Sequence, residues 1–258
     1  MTVWLLRTDH PGALVDSLAG LLDPAERARA EAIDEPVTHT EFVVSHAASR
    51  LILGRLLGVP PGSLRWRHGP SGKPALAEPA TDLQVSLSHS DGLAALAVTT
   101  GRPVGVDVQR RRSAAGLVRM AERYYPAEEA SFVAQAGDPA ELGRRFSTLW
   151  TRKEACAKVG GGRLIPALAW PSQPLPTAVG WDSANFAGPF LSGDPATEDR
   201  VVVRELTVPA GFHGAVALAG SADFQVVSHW WTPEQEQLPA AALPPLQHGR
   251  CEAPDGNP

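Results

Sequence analysis

Apolar and polar positions in the first part of the chain predict a strand followed by helices. An apolar strand is expected over 3–7, and a long helix over about 40–57 that ends at Gly58. Between them, Asp23-Pro24-Ala25-Glu26 has the composition of a helix start, with an N-cap residue, a proline at the first helical position and an acidic residue in the first turn.

A hairpin is predicted over 83–99, where two kinds of side chain alternate along the chain. The first strand places Val85, Leu87 and His89 on one face and Ser86, Ser88 and Ser90 on the other. Asp91-Gly92 supplies the tight turn between the two strands.

The second part of the chain repeats strand and helix signals. Over 103–109, valines alternate with small or polar residues, so that Asp107 and Gln109 point the same way from a predicted strand. Asp138-Pro139-Ala140-Glu141 then has the form of a capping box and opens the best-marked helix, which Gly160-Gly161-Gly162 ends.

The order of strand, helices and hairpin occurs twice, which predicts an α+β fold of two similar lobes. We expect an N-terminal lobe over 1–102 and a C-terminal lobe over 103–231, closed by short strands near 201–208 and 214–220. The remaining segment, 232–258, is rich in proline, alanine and polar residues and is expected to be a flexible tail.

Composition excludes several classes of protein. Hydrophobic residues make up 43% of the 258, and the two cysteines, Cys156 and Cys251, are too far apart in sequence for a spaced pair, so neither a disulfide scaffold nor a zinc site is expected. No membrane span or signal peptide is visible, which predicts a soluble cytoplasmic protein. A net charge of −5 with local basic clusters suits a small polyanionic ligand better than nucleic acid.

Each short motif has an ordinary explanation when it is taken alone. Gly69-Pro70-Ser71-Gly72-Lys73-Pro74 lacks the spacing of a Walker phosphate loop and fits a plain turn. Ser88-His89-Ser90 fits a strand end, and its adjacent serine and histidine point to opposite faces, which disfavours a hydrolase pair. Asp107 and Gln109 could ligate a hard cation or face solvent. Glu154 and Lys158, four residues apart, could form an exposed ion pair.

Taken in order, these motifs resemble a known enzyme family. Gly72-Lys73-Pro74, Ser88-His89-Ser90, the strand over 104–109 and Trp150-x-x-Lys153-Glu154-Ala155-x-x-Lys158 are similar to the phosphopantetheinyl transferases of the surfactin-synthetase-activating (Sfp) type, over about 22–162. The resemblance implies a monomer with two lobes related by a pseudo-twofold axis and a ligand cleft between them. It also implies a role in secondary-metabolite biosynthesis.

The implied reaction moves the 4′-phosphopantetheine arm of coenzyme A to a serine of an acyl or peptidyl carrier protein and releases 3′,5′-ADP. By resemblance, Asp107 and Glu154 would ligate Mg²⁺ together with Gln109, and Asp107, Glu154 and Lys158 would be the catalytic residues. Glu154 is our candidate general base. Mg²⁺ prefers such carboxylates together with phosphate oxygens and waters, and would neutralise charge on the leaving phosphate.

The resemblance also implies a set of coenzyme A contacts. Lys158 and His89 would contact phosphates, Lys73 and Ser88 would line the nucleotide end, and Arg50 on the first long helix would supply a further basic contact. Serine, histidine and lysine side chains can all donate hydrogen bonds to phosphate oxygens.

The sequence departs from the family pattern at three places. Gln109 stands where the family usually has glutamate, His46 stands where arginine is expected, and the stretch 31–40 is poorer in basic residues than usual. Two alternatives of other classes stay open: a catalytically idle relative that binds coenzyme A or a carrier domain, and an unrelated esterase built around Ser88 and His89.

Overall fold

A computed structural model describes residues 1–69, 72–162, 164–173, 183–188 and 199–233. The tail predicted over 232–258 lies outside the described residues from position 234 onward. Within the described segments, we find no helix with the length and apolar character that a membrane crossing requires.

Seven helices and eleven strands are present in the described part of the chain. The helices are α1 (Gly12–Ala19), α2 (Pro24–Glu31), α3 (Pro36–Leu57), α4 (Leu117–Tyr124), α5 (Ala127–Ala134), α6 (Pro139–Gly160) and α7 (Leu164–Leu168). The strands are β1 (Thr2–Arg7), β2 (Arg65–His68), β3 (Pro74–Glu78), β4 (Leu83–Ser90), β5 (Leu93–Thr100), β6 (Val104–Arg110), β7 (Ser172–Gln173), β8 (Ser183–Gly188), β9 (Asp199–Glu205), β10 (Phe212–Ala219) and β11 (Val227–Trp231).

Two main sheets and one small hairpin organise the molecule. The first sheet has the order β11-β1-β5-β4, the second has the order β6-β10-β9-β8-β7, and β2 and β3 form a two-stranded sheet. Strand β11 pairs in parallel with β1, with Val3 opposite Ser228, so the chain returns to the first sheet after it has built the second. Helices and sheets together confirm the predicted α+β class. The lobe boundary at residue 102 and the twofold relation stay predictions.

The two sheets share a hydrophobic core, and each is covered on its other face by a long helix. Val3 and Ala95 of the first sheet pack with Val106 and Val216 of the second. On the far side of the first sheet, α3 contributes to a second core with β1 and β5. On the far side of the second sheet, α6 packs onto β9 and β10. The layers therefore run from α3 through both sheets to α6.

Local signals explain where several elements begin and turn. At α2, the side chain of Asp23 accepts from the backbone of Glu26 while the side chain of Glu26 accepts from the backbone of Asp23, as the capping-box sequence predicts. The turn between β4 and β5 has positive φ at both Asp91 (45°) and Gly92 (93°), which confirms the hairpin. Helix α3 begins four residues earlier than expected, because Glu35 caps its first turn.

Candidate active site

The strand β6 and the helix α6 bring three predicted residues together. Because side chains alternate along β6, its valines enter the core between the sheets and Asp107 faces α6. Glu154 and Lys158 lie one turn apart on α6. The Lys158 Nζ atom lies 2.8 Å from Asp107 Oδ1 and 3.5 Å from Glu154 Oε1. The structure thus unites two carboxylates and an ammonium at one point.

Close packing at Gly105 makes this meeting possible. A Cβ atom at Gly105 would lie 1.9 Å from the carbonyl oxygen of Ala155 and 2.9 Å from the backbone nitrogen of Val159. There is no room for a side chain at this position. The glycine therefore allows the backbone of α6 to approach the backbone of β6 closely. Gly105 is two residues from Asp107, and Ala155 directly follows Glu154.

Ser88 joins this group from the first sheet. Its hydroxyl donates to Asp107 Oδ1 (2.8 Å) and accepts from Lys158 Nζ (3.0 Å) and from the backbone nitrogen of Val108 (3.2 Å). The hydroxyl is therefore fully engaged with the carboxylate site. His89 lies on the opposite face of β4, so Ser88 and His89 do not form the pair that the esterase alternative requires.

Three serines of β4 connect the edges of the two sheets. The hydroxyl of Ser86 accepts from the backbone nitrogen of Val106 (3.1 Å), and that of Ser90 accepts from the backbone nitrogen of Arg110 (3.1 Å). With Ser88 between them, they satisfy alternate backbone donors along β6. We call Ser86, Ser88 and Ser90 the serine seam.

The electrostatics around Asp107 suit a bound cation. Asp107 is 2% exposed, and its Oδ2 atom has no hydrogen-bond partner among the described residues. Burial raises the pKa of Asp107 to about 6, Lys158 opposes this rise, and the negative charge of Glu154 adds to it. A buried, unpartnered carboxylate oxygen beside a second carboxylate fits a divalent cation with oxygen ligands.

The protein offers few further ligands at this point. Among the described residues, no group of three or more histidine, cysteine, aspartate or glutamate side chains could hold a metal ion. Gln109, on the same strand as Asp107, donates through Nε2 to Ser90 Oγ (3.2 Å). That bond engages the amide nitrogen of Gln109 and not its carbonyl oxygen, the atom that could serve a cation.

A cavity of about 560 Å³ opens beside the carboxylate site, and we call it the central cavity. It is lined by Asp23, Ala25, Glu26, Arg29, His46, Ser49, Trp66, His68, Gly72, Lys73, Pro74, Val85, Ser86, Leu87, His89, Leu96, Lys158, Gly161 and Gly162. These residues come from α2 and its N-cap, α3, the small hairpin, β4, β5 and the end of α6. The predicted contacts Lys73, His89 and Lys158 are among them, and Lys158 borders both the cavity and the carboxylates.

Lys158 is suited to remain a cation in this position. Burial alone would lower the pKa of its ammonium, but the neighbouring Asp107 and Glu154 outweigh burial and raise the pKa. Its side chain is still 27% exposed. An ammonium at the border of the cavity can therefore face an anionic ligand.

His89 is oriented by an acidic residue that the sequence analysis missed. Its Nδ1 atom lies 3.3 Å from Oε2 of Glu41, and Oε1 of Glu41 accepts from the backbone nitrogen of Gly92. Burial lowers the pKa of His89, and Glu41 partly offsets this. Glu41 is separated from His89 by 48 positions, so no local pattern could have indicated it.

Lys73 lines the cavity, but its ammonium is engaged with backbone. Its Nζ atom donates to the carbonyl oxygens of Val104 (2.7 Å) and Val159 (2.6 Å). Burial lowers the pKa of this ammonium to about 8. The residue stands where a coenzyme A contact was predicted, and the hydrogen bonds of its ammonium tie β6 to the end of α6.

Arg50 is enclosed on the first long helix and is not among the cavity-lining residues. Its guanidinium forms ion pairs with Asp23 (2.5 Å) and Glu26 (2.5 Å) and donates to two backbone carbonyls. Burial would raise the pKa of Glu26, but hydrogen bonds from His46 and Arg50 lower it. The structure thus places Arg50 behind Asp23 and Glu26, which line the cavity themselves.

Lys153, the first lysine of the helix motif, lies away from the site. It is fully buried, and its Nζ atom forms an ion pair with Glu129 (2.6 Å) and a hydrogen bond to the carbonyl of Trp170. Ser172 also donates to Glu129. Lys153 therefore holds α5, α6 and the segment before β7 together, and the motif combines a structural lysine with the site residues Glu154 and Lys158.

Comparison with known proteins places the chain in a family. A family model of the 4′-phosphopantetheinyl transferase superfamily matches residues 103–177, the segment that contains β6 and α6. The 4′-phosphopantetheinyl transferase HetI of Nostoc sp. strain PCC 7120 is 31% identical over 188 residues, which cover 69% of this chain and 79% of the relative. The protein slr0495 of Synechocystis sp. strain PCC 6803, which carries the same family name, is 29% identical over 160 residues, or 62% of this chain and 64% of the relative. With a matching family model around the carboxylate site and a relative aligned over most of its length, the chain belongs to the 4′-phosphopantetheinyl transferase superfamily.

Proposed function

We propose that the protein transfers the 4′-phosphopantetheine arm of coenzyme A to a serine of an acyl or peptidyl carrier protein and releases 3′,5′-ADP, with Mg²⁺ as cofactor. We place it in the Sfp type and expect it to act as a monomer, because one chain supplies both walls of the central cavity. The observation that carries the proposal is the convergence of Asp107 and Glu154 on Lys158, which lines that cavity.

The two carboxylates and Gln109 would hold the cation. Asp107 and Glu154 would bind it through charged oxygens, and Gln109 would add its neutral carbonyl oxygen. When bound, Mg²⁺ supplies positive charge that neutralises the pyrophosphate of coenzyme A. Ser88 donates to Asp107 and so orients that carboxylate.

Two residues of the chain would accept the proton of the carrier serine and stabilise the charge on the leaving phosphate. Glu154, whose side chain is 24% exposed, accepts the proton of the incoming serine hydroxyl. The serine oxygen forms a bond to the phosphorus nearest the pantetheine, and the bond from that phosphorus to the oxygen of the leaving 3′,5′-ADP breaks. The Lys158 ammonium stabilises the negative charge that grows on the departing phosphate.

His89 binds the ligand rather than reacting with it. It lines the cavity on the other face of β4 from Ser88, and Glu41 fixes the orientation of its ring. A contact of this kind stabilises bound coenzyme A about equally before and during transfer, so it affects affinity more than the maximal rate.

The proposal is tested by incubating the purified protein with coenzyme A, Mg²⁺ and a panel of apo-carriers from fatty-acid, polyketide and non-ribosomal peptide synthesis. A carrier that is served should gain about 340 Da on its serine, as expected for phosphopantetheine transfer. Thorough chelation with EDTA should stop the gain in mass. Transfer that persists without divalent cations would remove the metal from the mechanism.

A matched control separates an enzyme from an idle relative. A Glu154→Gln variant keeps the size of the side chain and one acceptor oxygen but lacks the charge, so it should bind coenzyme A without loading carriers. If the wild-type protein, like the variant, binds coenzyme A but loads no carrier in the panel, the protein is a binding module and not an enzyme.

A further inference from the structure

Lys73 connects three separate parts of the chain. It lies at the end of the turn between β2 and β3, where Gly69 donates its backbone N–H to the carbonyl of Lys73 itself. From there, the Nζ atom reaches Val104, 31 positions away at the start of β6, and Val159, 86 positions away in the last turn of α6. One ammonium therefore bridges a strand and a helix to which its own segment does not belong.

The hydrogen bond from Lys73 supplies a donor to the carbonyl of Val159, near the C-terminus of α6. The last carbonyls of an α-helix lack partners within the helix. At the end of α6, the backbone N–H of Gly161 donates to the carbonyl of Lys158, and that of Gly162 donates to the carbonyl of Ala157. The ammonium of Lys73 donates to the carbonyl of Val159. A positive charge at a helix C-terminus is also favoured by the helix dipole.

The two hydrogen bonds of Lys73 lie next to the close contact between α6 and β6. Val104 and Val159 flank the Gly105 contact, at which α6 touches the backbone of β6. Val159 directly follows Lys158, and Val104 is three positions from Asp107. A shift of the last turn of α6 along β6 would therefore move the Lys158 ammonium relative to the Asp107 carboxylate.

We infer that Lys73 is a positioning residue, which fixes the last turn of α6 against β6 and so sets the distance between Lys158 and Asp107. This role rests on the proposed function for its catalytic consequence. It differs from direct recognition of the nucleotide, because the ammonium of Lys73 acts on backbone carbonyls and reaches the ligand only through Lys158.

Amide hydrogen exchange of the ligand-free protein tests the inference directly. In Lys73→Met, the amides of Gly161 and Gly162 should exchange about tenfold faster or more, while those of the first turns of α6 should keep their rates. Lys73→Arg, which retains several N–H donors, should recover most of the protection. The matched control is Arg65→Met, because Arg65 also donates to two backbone carbonyls (Gly62 and Leu64) but lies away from α6.

Ligand measurements separate positioning from direct contact. We expect Lys73→Met to lower kcat at saturating coenzyme A by about tenfold, while the dissociation constant of 3′,5′-ADP stays within about twofold. Unchanged exchange at Gly161 and Gly162, or a tenfold loss of 3′,5′-ADP affinity with unchanged kcat, would overturn the inference.

A measurement on the wild-type protein covers the case in which Lys73→Met does not fold. The ¹H–¹⁵N resonance of the Lys73 ammonium, assigned with Lys73→Arg, should be visible and should show no scalar coupling to ³¹P when 3′,5′-ADP is bound. A ¹⁵N–³¹P coupling across a hydrogen bond would show direct contact and reject the positioning role. If the wild type loads no carrier and binds no 3′,5′-ADP, the proposed function fails, while amide exchange still decides what Lys73 does.

Discussion

Replacing Gly105 with alanine should separate the strand and the helix that form the carboxylate site. The new Cβ atom would lie 1.9 Å from the carbonyl oxygen of Ala155, whereas ordinary contacts begin at 3.4 Å. The two backbones must therefore move apart by about 1.5 Å, because both contacting atoms belong to regular elements that cannot rotate away. Glu154 and Lys158 move with the helix, and Asp107 stays on the strand.

The size of the effect follows from that displacement. A misplacement of about 1 Å can cost on the order of 100-fold in rate, so kcat for carrier loading at saturating coenzyme A and Mg²⁺ should fall about 100-fold. Overpacking of a well-packed contact should also lower the free energy of unfolding by about 1–3 kcal/mol. Both quantities can be measured on the same preparation, by mass-shift kinetics and by urea denaturation.

Gly137→Ala is the matched control for this change. A Cβ atom at Gly137 would have no neighbour within 4 Å, so the same substitution should leave both rate and stability near those of the wild type. If Gly105→Ala kept kcat within about threefold of the wild type, close approach of α6 to β6 would not be what aligns the site.

Four further predictions concern the site residues. Asp107→Ala and Glu154→Ala should each abolish carrier loading, because each removes a charged ligand; near-normal turnover at ordinary Mg²⁺ would reject that assignment. Gln109→Glu should lower the Mg²⁺ concentration for half-maximal activity, and Gln109→Ala should stay measurably active. A magnesium titration unaffected by either change would show that Gln109 does not serve the cation. His89→Ala should raise KM for coenzyme A more than it lowers kcat; a large loss of kcat at unchanged affinity would make His89 part of the chemistry. Burial lowers the pKa of Lys73 from 10.5 to about 8, so between pH 8 and 10.5 the unfolded chain binds more protons at Lys73 than the folded protein. The free energy of unfolding of the wild type, relative to that of Lys73→Met, should therefore rise with pH over this range. Urea denaturation that gives the same difference at every pH would contradict this.

Features that depend on near neighbours could be predicted from the sequence. The alternation of serine with apolar residues over 85–90 fixed which side chains share a face, and the structure confirms it. The turn at Asp91-Gly92 and the caps at Asp23 and Asp138 were predicted for the same reason, since each depends on residues at most three positions apart. The motif residues Asp107, Glu154 and Lys158 were selected by resemblance, and the structure brings them within contact distance.

Features set by distant contacts could not be predicted in this way. The bond from Lys73 to Val159 spans 86 positions, and the pairing of β11 with β1 joins the two ends of the described chain. Helices α4 and α5 were also missed; their buried residues pack against α6, and neither helix has a side-chain N-cap bond. Tertiary packing rather than local propensity decides such elements.

Resemblance alone does not show the surroundings of a residue, and the helix motif is an example. Lys153 and Glu154 are adjacent in the same motif, yet a step of one residue on a helix turns the side chain by about 100°. Lys153 therefore points into a buried ion pair with Glu129, while Glu154 reaches the site. Arg50 is a similar case, because two acidic neighbours in space, Asp23 and Glu26, enclose its charge.

The serine seam also bears on the tendency of the protein to aggregate through its sheet edges. β4 and β6 are the outermost strands of their sheets, and an uncovered outermost strand invites pairing with other chains, which leads to aggregation. Here the hydroxyls of β4 occupy alternate amide protons of β6, so each strand shields the other from foreign strands. Ser88 serves both this shielding and Asp107, and substitutions there should therefore be judged for solubility as well as for catalysis.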